Sequence, residues 1–320
     1  MSFWQKLVRL LHLRRNVERK ESVNTPLESG EEPAPAEMPA PLEETEESAP
    51  PRLELEICVQ TDLGSVRTNN EDRGTYTRPS DPDVAASKGT LVIVADGMGG
   101  ASAGEIASEM AIRTIPELYY NSEKPPAVAL KEALEKTSAE INRTARADPE
   151  LSGMGTTCVA VAILAPDVYA AYVGDSRLYL LRDGDIYQLT EDHTVVEEMV
   201  RKGLITRDQA RHHEERNVLS LSLGGRPEIT ASYWQEPMSV RAGDRLLVCS
   251  DGLHDLLSES EIQAIIADSP AHVAVQSLID AANRNGGHDN ITAALIHVFV
   301  PAAQPETEFR ATREIMISSE

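Results

Sequence analysis

"LLVCSDGLHD", residues 246–255, is a short apolar run that stops on an Asp-Gly pair, and "LVIVADGMGG", residues 91–100, repeats the arrangement. A brief apolar run rich in Val, Leu and Ile and bounded by a turn dipeptide reads as a buried strand. Each strand therefore delivers an acid, Asp251 or Asp96, to its end. Runs of the same kind recur at 53–62 ("LELEICVQTD"), 156–164 ("TTCVAVAIL"), 168–175 ("VYAAYVGD"), 177–189 ("RLYLLRDGDIYQL") and 290–300 ("NITAALIHVFV"). The 177–189 run turns at Asp183-Gly184, a favoured two-residue hairpin dipeptide, so its halves are expected to pair antiparallel.

Helical periodicity appears between these runs in consecutive pairs: 103–119 with 126–147, then 258–269 with 271–285. Helices that arrive two at a time do not fit strict β-α-β alternation. They predict an α+β fold, a four-layer α-β-β-α sandwich in which two antiparallel sheets pack face to face and a helix pair covers each outer face.

The apolar fraction of 41% is enough for a sizeable core, whereas the formal charge of −22 excludes non-specific nucleic-acid binding, which needs Lys and Arg against phosphates. Cys58, Cys158 and Cys249 are far apart, each within a strand-like run and without Cys-x-x-Cys spacing, so they are expected to be buried free thiols. No apolar stretch reaches the roughly 20 residues that span a bilayer. The reading divides the chain into a basic amphipathic segment (1–20), an acidic Pro/Glu-rich linker (21–52), a folded body (53–301) and a loose tail (302–320).

Asp72, Asp96, Asp175, Asp251 and Asp289 all stand at strand termini or close a loop. One Asp-Gly after a strand is ordinarily a turn and nothing more. Five such acids in an antiparallel sandwich share its edges, and clustered carboxylates raise one another's pKa unless a cation compensates. An all-oxygen set without His or Cys suits Mg²⁺ or Mn²⁺ rather than zinc, and the Gly97 carbonyl is a further potential ligand.

The motifs "GSVRTNNED", "ADGMGG", "GMGTT", "VGDSRLYLLRDG", "LTEDHT", "CSDGL" and "GGHDNIT", in that order from residue 64 to residue 292, resemble those of the bacterial metal-dependent type 2C Ser/Thr protein phosphatases. The resemblance implies hydrolysis of phosphoserine and phosphothreonine on proteins, opposing bacterial eukaryotic-like kinases. It implies two Mn²⁺ or Mg²⁺ ions, with Asp96 bridging, the Gly97 carbonyl on one ion, and Asp251 and Asp289 completing the other. Asp72, and less directly Glu71, would hold metal-bound waters, and a third ion would lie between Asp175 and Asp251. Arg67 matches the family's phosphate-binding arginine. A partner-switching regulatory phosphatase and a non-catalytic scaffold are the alternatives.

Three positions depart from the resemblance: Met98 stands where many eukaryotic members have a proposed acid His, His288 replaces the usual Pro, and Leu221 stands where relatives often have Arg. His193 is expected to be structural, and residues 194–222 to form a polar flap where substrates are read. In "MSFWQKLVRLLHLRR", residues 1–15, Phe3, Trp4, Leu7, Val8, Leu10 and Leu11 fall on one helical arc and Lys6, Arg9 and His12 opposite. That pattern predicts peripheral contact with anionic membrane at the inner face by an otherwise cytoplasmic monomer.

Overall fold

The computed structural model describes residues 52–100 and 103–301, so the basic segment, nearly all of the linker and the tail fall outside the described residues. In chain order the strands are β1 (Glu54–Asp62), β2 (Asp72–Thr77), β3 (Thr90–Met98), β4 (Gly155–Thr156), β5 (Cys158–Leu164), β6 (Asp167–Val173), β7 (Arg177–Arg182), β8 (Asp185–Gln188), β9 (Ser232–Tyr233), β10 (Met238–Ser239), β11 (Arg245–Cys249) and β12 (Ile291–Phe299). Among the described residues they form a five-stranded sheet ordered β1-β12-β11-β7-β8 and a seven-stranded sheet built on β10-β6-β5-β3-β2, with β4 added to β3 and β9 to β6. The pairings are antiparallel throughout, as the helix grouping predicted.

Side-chain alternation explains why the central strands read as unbroken apolar runs. Along β5, Val159, Val161 and Ile163 enter the core between the sheets, while Cys158, Ala160 and Ala162 face the helix layer. Both faces are buried, so neither can be polar. The branched residues fill the inter-sheet space, and the small ones let the helices approach. Helix Ala103–Tyr120 answers with Ala103, Ala107, Ala111, Ile115 and Tyr119, all buried at every fourth position. On the other side, Leu247 and Cys249 of β11 and Ala293 and Leu295 of β12 pack beneath helices Glu259–Ile266 and Ala271–Arg284. Three cores thus separate four layers. Each fully buried Val, Leu or Ile contributes about 1.5–3 kcal/mol to holding them together.

The turn at Asp183-Gly184 has positive φ at both central residues, 55° and 78°, and joins β7 to β8 through the Arg182–Asp185 pair. That is the type I′ geometry whose twist matches a hairpin. Asp72 stands at a strand terminus, as expected, because it opens β2; this strand is short, polar and half-buried at the sheet edge, which hid it from an apolar-run criterion. One expectation needs correction. Cys158 and Cys249 are buried free thiols, but Cys58 is only half-buried because β1 is an edge strand.

Candidate metal centre

Both sheets end at one edge of the sandwich, and there the acids meet. Asp96, near the end of β3, pairs in register with Asp72, the first residue of β2. Paired residues on neighbouring strands present their side chains to the same face. Asp175 follows β6 by two residues. From the five-stranded sheet come Asp251, which opens the helical turn Asp251–His254 after β11, and Asp289, two residues before β12. Asp72, Asp251 and Asp175 all stand close enough to Asp96 to raise its carboxyl by their charge.

Uncharged neighbours fix these acids. Ser250 Oγ donates to Asp72 Oδ2 at 2.7 Å and accepts from the Thr292 amide at 3.0 Å, so one hydroxyl ties an acid of one sheet to a strand of the other. The Asp96 carbonyl accepts from the Thr157 amide at 2.8 Å and from Thr156 Oγ1 at 2.9 Å. Asn290 Oδ1 accepts from the Glu71 amide at 2.8 Å, while its Nδ2 donates to the carbonyls of Leu63 and Asn69. This clamp sets the loop that carries Arg67. Gly97 has backbone on both sides: a Cβ there would stand 2.1 Å from the Gly104 carbonyl oxygen and 2.6 Å from that of Glu71.

Electrostatics follow from the crowding. Burial first, then the charges of Asp72, Asp251 and Asp175, hold the Asp96 carboxyl well above the usual carboxylate range. Asp251 and Asp175 are each pushed up to about 7, by burial before their charged neighbours. Asp72 rises to about 6, its burial partly offset by the Ser250 hydrogen bond. Burial likewise raises Glu71, whose Oε1 is enclosed without a hydrogen-bond partner.

Raised carboxyls, a buried orphan oxygen and an all-oxygen donor set fit a hard divalent cation. Among the described residues, no three His, Cys, Asp or Glu side chains converge closely enough to grip an ion as they stand. Asp289 is turned to Arg67, whose Nη2 donates to its Oδ2 at 2.6 Å. As it stands, this carboxylate is engaged by the guanidinium.

The model of the family described as Protein phosphatase 2C matches residues 82–295. The chain belongs to the protein phosphatase 2C family. The serine/threonine phosphatase Stp of Listeria innocua is 37% identical over 243 residues, which cover 74% of this chain and 93% of that protein. The crystal structure of the Mycobacterium tuberculosis serine/threonine phosphatase PstP matches with a TM-score of 0.67 at 33% identity, covering 76% of this chain and 98% of that one. A catalytic domain of PstP in complex with two manganese ions matches at 0.66 and 33%, covering 78% and 100%. By its family the chain is a protein-serine/threonine phosphatase.

In this phosphatase His193 is built into the wall. Its Nδ1 accepts from the Gly174 amide at 3.0 Å, its Nε2 meets Ser232 Oγ at 2.9 Å, and its ring stacks on Tyr172. Burial lowers its pKa, in keeping with a neutral, structural ring. Met98 ends β3 opposite Gly155 and carries no ionisable proton. Leu221 is partly buried and packs against the helix-side core. The flap holds helices Val195–Arg201 and Arg207–Arg211, and its base is pinned by bridges from Thr194 to Leu219 and from Thr156 to Leu223. His288 is exposed. Sequence reasoning missed Ser250, Asn290, Thr157 and His254, whose Nε2 lies 3.1 Å from the Asp175 carbonyl oxygen.

Proposed function

We propose that the phosphatase removes phosphate from phosphoserine and phosphothreonine of proteins with two Mn²⁺ or Mg²⁺ ions held by Asp96, the Gly97 carbonyl, Asp251 and Asp289, and with Asp72 supporting their water ligands. A third, weaker ion is assigned to Asp175 and Asp251. The observation that carries the reading is the meeting of five carboxyls and one guanidinium at a single sandwich edge. When bound, the ions supply Lewis acidity, which lowers the pKa of a water and neutralises phosphoryl charge. The residues supply position. Arg67 orients the phosphate by charge-assisted hydrogen bonds once Asp289 is released to an ion. Ser250 keeps Asp72 ionised and aimed by donating to it, and the bare Cα of Gly97 lets the β3 backbone enter the centre. The unit that performs this chemistry is residues 53–301, and its targets are proteins modified by bacterial eukaryotic-like kinases.

The test is hydrolysis of phosphothreonine and phosphoserine peptides by the full chain. Activity is expected to vanish in EDTA and return with Mn²⁺ or Mg²⁺. Full activity in EDTA would overturn the metal reading, and no activity with either ion would overturn the phosphatase reading.

No helix among the described residues is long and apolar enough to cross a membrane. For residues 1–20, outside the described residues, we propose weak peripheral attachment of a cytoplasmic monomer to anionic lipid. The amphipathic arc with Trp4 and the opposing Lys6 and Arg9 supports it. Co-sedimentation with anionic and with neutral vesicles, comparing the full chain with one starting at Leu53, tests it. Equal recovery of both in the supernatant would reject it.

A further inference from the structure

A channel leads away from the acid cluster beneath the flap. Its first chamber, of about 470 Å³, begins at Asp175 and His254, with residues of the Arg207–Arg211 helix in its lining. A second, of about 410 Å³, extends to Ile186 and Tyr187 on β8. The two share walls that include Arg177, Asp192, Glu197, Arg207 and Glu259, and so form one continuous groove.

In the second chamber most of the charge is cancelled internally, while Arg211, Arg216 and Asp255 also line the first. Arg177 pairs with Asp192 at 2.7 Å and Arg207 with Glu197 at 3.2 Å. Glu191 and Glu259 remain in the second chamber, both exposed and neither in an ion pair among the described residues. Ile186 and Tyr187 lie half-buried beside them. In the first chamber His254 is held between Asp175 and Asp255. The His254 side chain is only 4% exposed, yet its Nδ1, 3.4 Å from Asp255 Oδ1, makes no hydrogen bond of acceptable geometry.

We propose that this groove seats the stretch of substrate chain beside the phosphoresidue, and that Glu191 and Glu259 select a Lys or Arg in that stretch. An apolar wall next to two free carboxylates matches a side chain with an alkyl stem and a cationic head: the stem lies on Ile186 and Tyr187, and the head meets the glutamates. The same carboxylates repel an acidic residue at that position. Continuity with Asp175 makes the occupant part of the molecule being dephosphorylated rather than an independent ligand. The inference rests on the phosphatase reading and adds to it the class of substrate sequence.

The test uses the full chain with Mn²⁺ and a set of phosphothreonine peptides, otherwise neutral, in which a single Arg is moved one position at a time along each side of the phosphoresidue. At one position Arg should raise kcat/KM over Ala by roughly 5-fold, through KM, and Glu should lower it; the preference should shrink with salt. In the double variant Glu191→Gln/Glu259→Gln the Arg-to-Ala ratio at that position should fall to about one. Equal hydrolysis of all peptides by the natural chain would overturn the groove assignment while leaving the phosphatase reading intact. Failure to hydrolyse any peptide would overturn the reading on which it rests. A preference that persists in the double variant would overturn the role of the two glutamates.

Discussion

Arg67 and Asp289 are joined by a hydrogen bond of 2.6 Å from Nη2 to Oδ2 at the mouth of the acid cluster, with 49% and 31% of their side chains exposed. This pairs the residue suited to phosphate with one suited to metal. An ion pair so open to water is worth only about 0–1 kcal/mol, so it yields readily to stronger partners. A phosphoryl group for the guanidinium and a divalent cation for the carboxylate are both stronger. On the proposed reading, the two residues are thus held near the positions they would work from without being locked there.

Replacing Arg67 by Ala should raise KM for a phosphothreonine peptide and weaken inhibition by inorganic phosphate. A loss of roughly 10-fold or more in kcat/KM is expected for a charge-assisted bond worth about 1.5–3 kcal/mol. Mn²⁺ affinity, read by calorimetry, should not fall, because Asp289 loses a competitor. Unchanged KM and phosphate inhibition would return Arg67 to ordinary surface charge.

Gly97→Ala should destabilise the fold as well as the centre. The new methyl would meet two backbone oxygens, at 2.1 Å and 2.6 Å, that no side-chain rotation can move. A cost of about 1–3 kcal/mol in urea unfolding is expected. An unchanged unfolding midpoint would contradict the close approach of β3 to Gly104.

Most of the sandwich was legible because its strands are buried on both faces. Runs such as Val92–Ala95 and Val159–Ile163 have no polar position to confuse the pattern. β2 and the helix Pro82–Lys88 were not legible, since "DRGTYT" and "PDVAASK" are polar and lie at the rim. Four of the five acids, Asp96, Asp175, Asp251 and Asp289, were legible from a repeated context, an acid at a strand end next to Gly or Asn, whereas Asp72 lies between Glu71 and Arg73. Ser250 and Asn290 were not, because a single hydroxyl or amide has no sequence pattern. Their role arises from a register that joins residues about 180 and 220 positions apart. The Arg67–Asp289 pair is equally invisible in sequence, and the resemblance gave Asp289 only its metal role.

The acid cluster should make stability depend on pH in a metal-sensitive way. Asp251 and Asp175 rise to about 7 and Asp72 to about 6 in the folded chain, above an unfolded value of about 3.9. A group whose folded pKa is raised contributes stability that is fully present below the unfolded value and is lost as pH rises through the folded one. In EDTA the thermal midpoint should therefore rise between about pH 8 and about pH 6. Mn²⁺ should raise the midpoint more at the higher pH, where protons do not compete for the carboxylates. A larger Mn²⁺ shift at the lower pH would contradict the raised values.

The central claim is that Asp96 organises the metal centre that hydrolyses phosphoprotein, and the most direct measurement is phosphothreonine-peptide hydrolysis by Asp96→Asn across a Mn²⁺ titration, with circular dichroism to verify folding. The substitution preserves size and removes the charge, so a folded variant slowed by roughly 1,000-fold at all Mn²⁺ concentrations is predicted, the scale of several kcal/mol of lost Lewis-acid stabilisation. A folded Asp96→Asn protein that hydrolyses the peptide at the natural rate, with an unchanged Mn²⁺ requirement, would contradict the account.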